Sequence, residues 1–360
     1  MAGQPGDHVY GIIDLFAGPG GLDVAATWLG IPVIGIEWDP NACATRRAAG
    51  LLTEQGDVRH FEPSCFSNAD VLAAGPPCQT FTVAGSGHGR KALDEVLLFA
   101  KRMGNGDDVT EDLKQIPDER TALVLEPLRW ALRAIKAENP YRAIVLEQVP
   151  AVLPVWEAVG EILDKEGYSV AHGVLRTEQY GVPQTRRRAV LIARLGADAA
   201  LPTPTHRPYR KGTSRTEGAE NLLPWVAMND VLNRPDPFVV VSNYGTGGDP
   251  KARGRRASTE PSFTVTGKIF RNRVVTPSGE RSLPRFSYAE AGRLQTFPAD
   301  YPWFGNDVAQ QIGNAIPPLL AMHVLVTALD IDVQILERRT AQNLPLWAET
   351  KVPHFDVTCE

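Results

Sequence analysis

Long apolar runs are missing from this chain of 360 residues. None approaches the ~18 residues of a membrane span, so no membrane partner is expected. The opening MAGQPGDHVYGIIDLF lacks a basic segment followed by a long apolar one, so no secretory signal is expected. Cysteine is scarce. Cys43, Cys65, Cys78 and Cys359 form no CxxC pair and no cluster with histidine. Neither a metal site nor a disulfide framework is expected, and a cytoplasmic setting is. Positive charge is also in short supply, with 37 Lys and Arg against 42 Asp and Glu and a net charge of −5. That balance argues against a generic polyanion binder. Wholesale disorder is excluded by 43% hydrophobic and 22% charged residues. Glycine (32) and proline (29) are plentiful and predict many turns. At about 150 residues per domain, the length predicts roughly two domains.

The distribution of charge says more than its sum. Residues 251–293 hold ten basic residues, Arg253, Arg255, Arg256, Lys268, Arg271 and Arg273 among them, against three acidic ones. Such a patch is either a phosphate-contacting surface or a solvated basic face. Residues 1–195 alternate strand-like stretches (8–15, 32–37, 70–74, 143–146, 169–175, 188–193) with helical ones (22–29, 41–49, 121–138, 154–166). Alternation of this kind predicts an α/β sheet with helices on its faces. Residues 84–118 form a long glycine-rich and charged connection containing a weak helix over 93–103. Residues 196–280 are rich in Pro, Thr, Asn, Gly and Arg, with β-like runs PFVVVSNY and SFTVTGKIF, and predict a smaller, mostly β domain. Helical pattern returns at 288–295 and 317–336.

The first predicted strand runs into DLFAGPGGLD (14–23). Gly18 and Gly20 let backbone approach a ligand at the strand's carboxyl end. A dinucleotide fingerprint needs a third glycine where Asp23 stands, and the GK[ST] of a phosphate-binding loop is absent. Glu37 ends the second strand 19 residues after Gly18, where a carboxylate can accept from both hydroxyls of a ribose. Asp57 follows the third strand and can accept from an adenine amino group, while Phe16 and Trp38 can pack on the adenine ring. An adenosine ligand without a pyrophosphate fits best, and S-adenosylmethionine is the obvious one.

The fourth strand enters AGPPCQTFT (74–82). Two prolines stiffen the approach to Cys78, which is either a nucleophile or a small buried apolar residue. Glu147 ends strand AIVLE, where it can act as a general acid toward a heterocycle nitrogen or cap the next helix. QTRRR (184–188) opens a further strand. Alternation sets Arg186 and Arg188 on one face, either to bind a carbonyl oxygen or phosphate or as part of a solvated turn.

With these stretches in view, the chain resembles the DNA (cytosine-5) methyltransferase family of the bacterial restriction-modification type. The matching stretches are DLFAGPGGLD (14–23), EWD (37–39), GDV (56–58), GPPCQTFT (75–82), LEQVP (146–150), QTRRR (184–188), RFSYAEAGRLQTFP (285–298) and QIGNAIPP (311–318), in the usual order and over nearly the whole length. The resemblance implies a Rossmann-like, S-adenosylmethionine-dependent methyltransferase sheet domain over 1–195, completed by 305–360. A smaller, mostly β target-recognition domain with its hinge would occupy 196–304. It implies a cofactor site of Phe16, Gly18, Gly20, Leu22, Glu37, Trp38, Asp57, Val58, Pro77, Asn314 and Ala315, with Gln79 joining the basic patch on DNA. Two departures stand out. Gln148 takes the place of the family's usual Asn, which helps hold the cysteine loop, and the 84–118 connection is longer than in the shortest members.

The implied chemistry is methylation of C5 of a flipped cytosine in a specific duplex sequence. Cys78 would attack C6, Glu147 would act at N3, and Arg188 would hold O2 with Arg186 in support. Two other readings share the same residues: a tRNA cytosine-5 methyltransferase, and a catalytically silent DNA-binding regulator. The expected partners are double-stranded DNA and, functionally, a restriction endonuclease. The expected source is prokaryotic or phage, and the expected state is a monomer without a metal.

Overall fold

The computed structural model describes residues 10–77, 87–116, 119–243, 253–355 and 357. Cys78, Gln79 and Lys251 therefore lie outside the described residues.

The first half of the chain builds one sheet: β1 (Ile12–Leu15), β2 (Val33–Glu37), β3 (Thr53–Gln55), β4 (Val71–Ala74), β5 (Ala143–Gln148), β6 (Tyr168–Arg176) and β7 (Arg187–Leu195). Their order across the sheet is β3-β2-β1-β4-β5-β7-β6. The first five strands run parallel, while β7 is antiparallel to both β5 and β6. The longer helices between them are α1 (Gly21–Trp28), α2 (Pro40–Ala48), α3 (Gly87–Gly104), α4 (Glu126–Lys136) and α5 (Leu153–Lys165). Strand alternation sends Ile12 into the core that holds α1 and sends Ile13 and Leu15 into the core that holds Trp130 and Trp156 of α4 and α5. Burial on both sides accounts for the unbroken apolar runs of β1, β2 and β4.

Local chemistry sets the element ends. The Asp39 side chain accepts from the Asn41 backbone N–H at the start of α2, Pro40 occupies its first turn, and Gly50 follows with φ 68°. The single helix expected over 121–138 is instead broken. A one-turn helix and a 3₁₀ turn at Leu123–Leu125 precede α4, because Pro127 belongs at a helix start rather than in its interior.

A second, four-stranded antiparallel sheet follows: β8 (Val239–Val241), β9 (Arg255–Ala257), β10 (Arg273–Val275) and β11 (Ser282–Leu283), ordered β11-β10-β8-β9. SFTVTGKIF forms none of its strands. Ser262 instead pairs in parallel with Gln184, and a 3₁₀ turn ends the stretch at Ile269–Arg271. The chain closes with α6 (Tyr288–Leu294), α7 (Val308–Asn314) and α8 (Pro318–Leu329). Val308–Leu329 has the length and apolarity of a membrane span, which corrects the expectation that no such run exists. Its most apolar window is 83% buried inside the fold, and α8 packs in the same core as α1. A second correction concerns Cys65, which is disulfide-bonded.

Candidate active site

The sheet order reverses between β1 and β4: β1 is followed by β2 on one side, and β4 lies on the other. In open α/β sheets the crevice outside the carboxyl ends at such a point is where ligands bind. The glycine loop leaves β1 there, 75–77 leaves β4, and Glu147 lies next to the last residue of β5 on the same edge.

Phe16 (φ 61°), Gly18 (φ 55°) and Gly20 (φ 102°) turn the glycine loop through left-handed conformations into α1. The two kinds of glycine do different work. A Cβ on Gly20 would sit 2.9 Å from the Tyr301 Oη, and one on Gly21 would collide with the Ile316 carbonyl. A Cβ on Gly18 would meet nothing, so Gly18 borders open space. Glu37 binds the loop from behind: Oε2 accepts from the Gly18 N–H at 2.7 Å, and Oε1 accepts from Trp38 and Asp39 N–H at 2.8 Å each. Burial raises its pKa against the pull of these donors. Three of the about four acceptor sites of a carboxylate are thus occupied. Among the described residues, one acceptor site is left for a further donor.

Trp38 is 71% exposed beside Glu37, whereas Leu22 and Val58 are buried. Asp57 accepts at both oxygens from Arg59, as close as 2.5 Å. Burial raises its pKa, but the Arg59 hydrogen bonds and charge outweigh it and leave the group below its usual value. An adenine amino group would have to share this carboxylate with Arg59. At the far side of the crevice, the exposed Asn314 accepts from the Gln310 side chain at 2.6 Å, and Ala315 is buried.

Beneath the glycine loop lies a charged network that sequence reasoning missed. Arg46 of α2 makes two hydrogen bonds to Asp23 of α1 (2.6 and 2.9 Å), and all three groups Asp14, Asp23 and Arg46 are buried. Arg46 also donates to Thr53 Oγ1 and the Leu52 carbonyl. It crosses Gly35 so closely that any Cβ there would strike the guanidinium. Burial, followed by the Asp23 charge, holds the Asp14 pKa well above the usual range. The signal was present in Asp23, the residue that replaces the third glycine, but its partner came from a different helix.

The second corner forms because β7 runs antiparallel to β5. Its first residues therefore arrive at the carboxyl end of β5, with Val190 opposite Glu147. Arg188 Nε lies 2.5 Å from Glu147 Oε1, both side chains about one-eighth exposed. The contact is one of charge: Glu147 Oε1 has no aligned hydrogen-bond donor among the described residues. Gly75 passes beside Glu147, with a built Cβ 3.9 Å from Oε2. Gln148 Nε2 donates to the Pro76 carbonyl and its Oε1 accepts from Val149 N–H at 2.5 Å, so the longer amide does grip the loop that leads to Cys78.

Arg186 departs from the expected reaction role. It is 2% exposed and donates to the carbonyls of Val265 (3.0 Å), Gly313 (2.9 Å) and Ala315 (3.2 Å). Burial, followed by the nearby Arg188 charge, pushes its pKa well down. Its donors are spent on backbone rather than aimed into the crevice, apart from Nε, which has no partner among the described residues.

The basic patch also divides. Arg255, Lys268, Arg271 and Arg273 are exposed. Arg253 donates to Asn243 Oδ1 at 2.5 Å. Arg256 stacks 4.0 Å from the Tyr209 ring centroid and 5.2 Å from that of Phe263, with only 15% of its side chain exposed. It braces the small domain and is removed from the set of free phosphate contacts.

Known proteins resemble this chain in sequence and in fold. The family model described as C-5 cytosine-specific DNA methylase matches residues 10–101 and 113–234, more than half of the chain. The Type II methyltransferase M1.HphI of Haemophilus parahaemolyticus is 28% identical, over 89% of this chain and 87% of its own length. M.NgoMIV of Neisseria gonorrhoeae, also a Type II methyltransferase, is 28% identical over 86% and 94%. Among solved structures, the S. pombe Dnmt2 methyltransferase superposes with a TM-score of 0.61 at 18% identity, over 89% of this chain and 98% of that one. A putative DNA modification methyltransferase encoded within an E. coli prophage gives 0.54 at 17%, over 89% and 99%. These structural likenesses concern the fold.

Proposed function

The chain belongs to the C-5 cytosine-specific DNA methylase family, whose members methylate DNA cytosine with S-adenosylmethionine, and from that premise we propose how its residues perform the reaction. The target is one cytosine in a specific duplex sequence. That base must leave the stack, because C5 and C6 are inaccessible to a buried crevice while it is paired. The observation that carries the reading is the meeting of Glu147, Arg188 and the Gln148-held 75–77 loop at one sheet edge, beside the open face of Gly18.

The Cys78 thiolate adds to C6, and the electron pair of the C5–C6 bond becomes available at C5. Glu147 supplies a proton or hydrogen bond at N3, which stabilises the adduct. Arg188 leaves its contact with Glu147 to hold O2. When bound, S-adenosylmethionine would supply an electrophilic methyl group that C5 takes up, with S-adenosylhomocysteine as the leaving group. Loss of the C5 proton and departure of Cys78 then restore the aromatic ring. Glu37, Gly18 and Trp38 would hold the adenosine part, and the Asn314–Ala315 turn the opposite side. Their fit rests on the open space at Gly18 and the remaining acceptor site of Glu37. Residues 196–304 serve as the recognition domain, with Arg255, Lys268, Arg271 and Arg273 on phosphates. We assign the protein to the cytoplasm as a monomer paired in function with a restriction endonuclease.

The test offers labelled S-adenosylmethionine with unmethylated mixed-sequence duplex DNA in one arm and tRNA in the other. Label in DNA alone supports the reading. Label in tRNA alone replaces it with an RNA-directed activity, and DNA binding without label replaces it with a regulatory one.

A further inference from the structure

A densely hydrogen-bonded polar cluster lies in the interior next to the reaction corner, where three parts of the chain meet. Gln184 Oε1 accepts from the Val265 N–H at 2.9 Å, and Arg186 donates to the carbonyl of the same residue. One recognition-region residue is thus gripped at both of its backbone polar groups. The neighbouring backbone adds two bonds, Thr185 N–H to the Ser262 carbonyl and Ser262 N–H to the Pro183 carbonyl, and the Thr264 Oγ1 adds a third to the Thr185 carbonyl. On the other side, Arg186 donates to Gly313 and Ala315. Gln295 Nε2 donates to Ile312 (2.6 Å) and shares the Ala315 carbonyl, while Gln184 Nε2 donates to Leu294 and to the Gln295 side chain.

The segment that Arg186 holds continues straight to the cofactor loop. Ile316, next after Ala315, sets its carbonyl so close to Gly21 that no Cβ would fit. Asn314, one of the residues assigned to the cofactor, stands between the two carbonyls Arg186 binds. On the recognition side, Val265 is followed by the turn that carries the exposed Lys268 and Arg271.

We infer that Arg186 is a positioning residue, which locks the recognition segment and the 313–316 turn into one arrangement before either ligand arrives, rather than a residue that touches the target base. The inference rests on the cofactor and DNA sites proposed above. Preorganisation of this kind removes a conformational cost that each ligand would otherwise meet alone. Lysine cannot reproduce the guanidinium fork that spans carbonyls from two segments.

The experiment measures S-adenosylhomocysteine binding by calorimetry for the wild type and Arg186→Lys. Each is titrated without DNA and with saturating unmethylated mixed-sequence duplex. For Arg186→Lys without DNA, Kd rises at least about fivefold. Bound DNA narrows that gap, since it orders the same segment first. Methyl transfer loses more in kcat/KM for the cofactor than in kcat. An unchanged Kd with a collapse of kcat overturns the inference and returns Arg186 to the base. An equal rise in Kd with and without DNA also overturns it. If Arg186→Lys does not fold, Gln295→Met decides, because it frees the Ala315 carbonyl from its other donor. A raised Kd that DNA restores supports the inference, and an unchanged Kd overturns it. A wild type that binds neither S-adenosylhomocysteine nor DNA would instead overturn the functional reading beneath it.

Discussion

Asp14 shows how one buried side chain can record its surroundings in a pH profile. Its pKa in the fold is well above the ordinary 3.8, because burial and the adjacent Asp23 disfavour its charge. The folded protein therefore keeps a proton that the unfolded chain releases above about pH 4. Stability contributed by this group is full at low pH and is lost as pH rises toward the folded pKa, by at most about 1.4 kcal/mol per pH unit. Asp14→Asn keeps the neutral hydrogen-bonding group without the proton equilibrium. Urea unfolding at pH 5 and pH 7 should show a smaller loss of stability between the two for the variant than for the wild type. An identical loss would mean that Asp14 is ionised in the fold. Gln148 makes a related point at the same scale: an added methylene did not cost the loop its tether, because the amide still reaches the Pro76 carbonyl.

At the scale of elements, the close seating of α7 on the 265–268 turn depends on absent side chains. A Cβ on Gly313 would collide with the backbone of Thr266 and Gly267, neither of which can swing aside as a side chain would. Gly313→Ala should therefore lower thermal stability by about 1–3 kcal/mol, read as a drop in melting temperature. An unchanged melt would mean that α7 shifts freely, and the polar clasp around Arg186 would lose its rigid base. Elements were legible in the sequence where local signals suffice. The strands 33–37 and 143–148, the helix after Asp39 and the glycine turn after β1 all carry periodicity, caps or positive-φ glycines of their own. What remained hidden was set by distant partners. The direction of β7 decides that Arg188 meets Glu147, yet nothing in residues 187–195 specifies an antiparallel neighbour. SFTVTGKIF has strand-like alternation, but Gln184 and Arg186 take up its polar backbone before a sheet can. Arg186 reads as a carbonyl- or phosphate-binding group or as part of a solvated turn, and Arg256 as part of the basic patch, and only tertiary contacts reveal that one is buried among carbonyls and the other between rings.

The whole molecule carries net charge −5, so its DNA contacts must be local. Counterion release gives a direct measure of them: each phosphate contact adds about 0.9 to the slope of log K against log salt. Removing Lys268, Arg271 or Arg273 by alanine substitution should each flatten that slope by roughly one contact. Arg256→Ala should leave the slope unchanged while lowering stability, because its guanidinium is stacked inside the small domain. Slopes from a fluorescence titration between low and moderate salt check both statements. A flattened slope for Arg256→Ala would place that residue on DNA.

The central claim is a covalent bond between Cys78 and C6 of the target cytosine, released only when the C5 proton leaves. A fluorine at C5 cannot leave as a cation, so the reaction should stop after methyl transfer with protein and DNA joined. Mixed-sequence duplex containing 5-fluorocytosine in place of cytosine, incubated with the protein and S-adenosylmethionine, should give a species that survives denaturing electrophoresis. Cys78→Ala should give none. Methyl transfer to ordinary DNA with no trapped species, or a trapped species that persists in Cys78→Ala, would contradict the account.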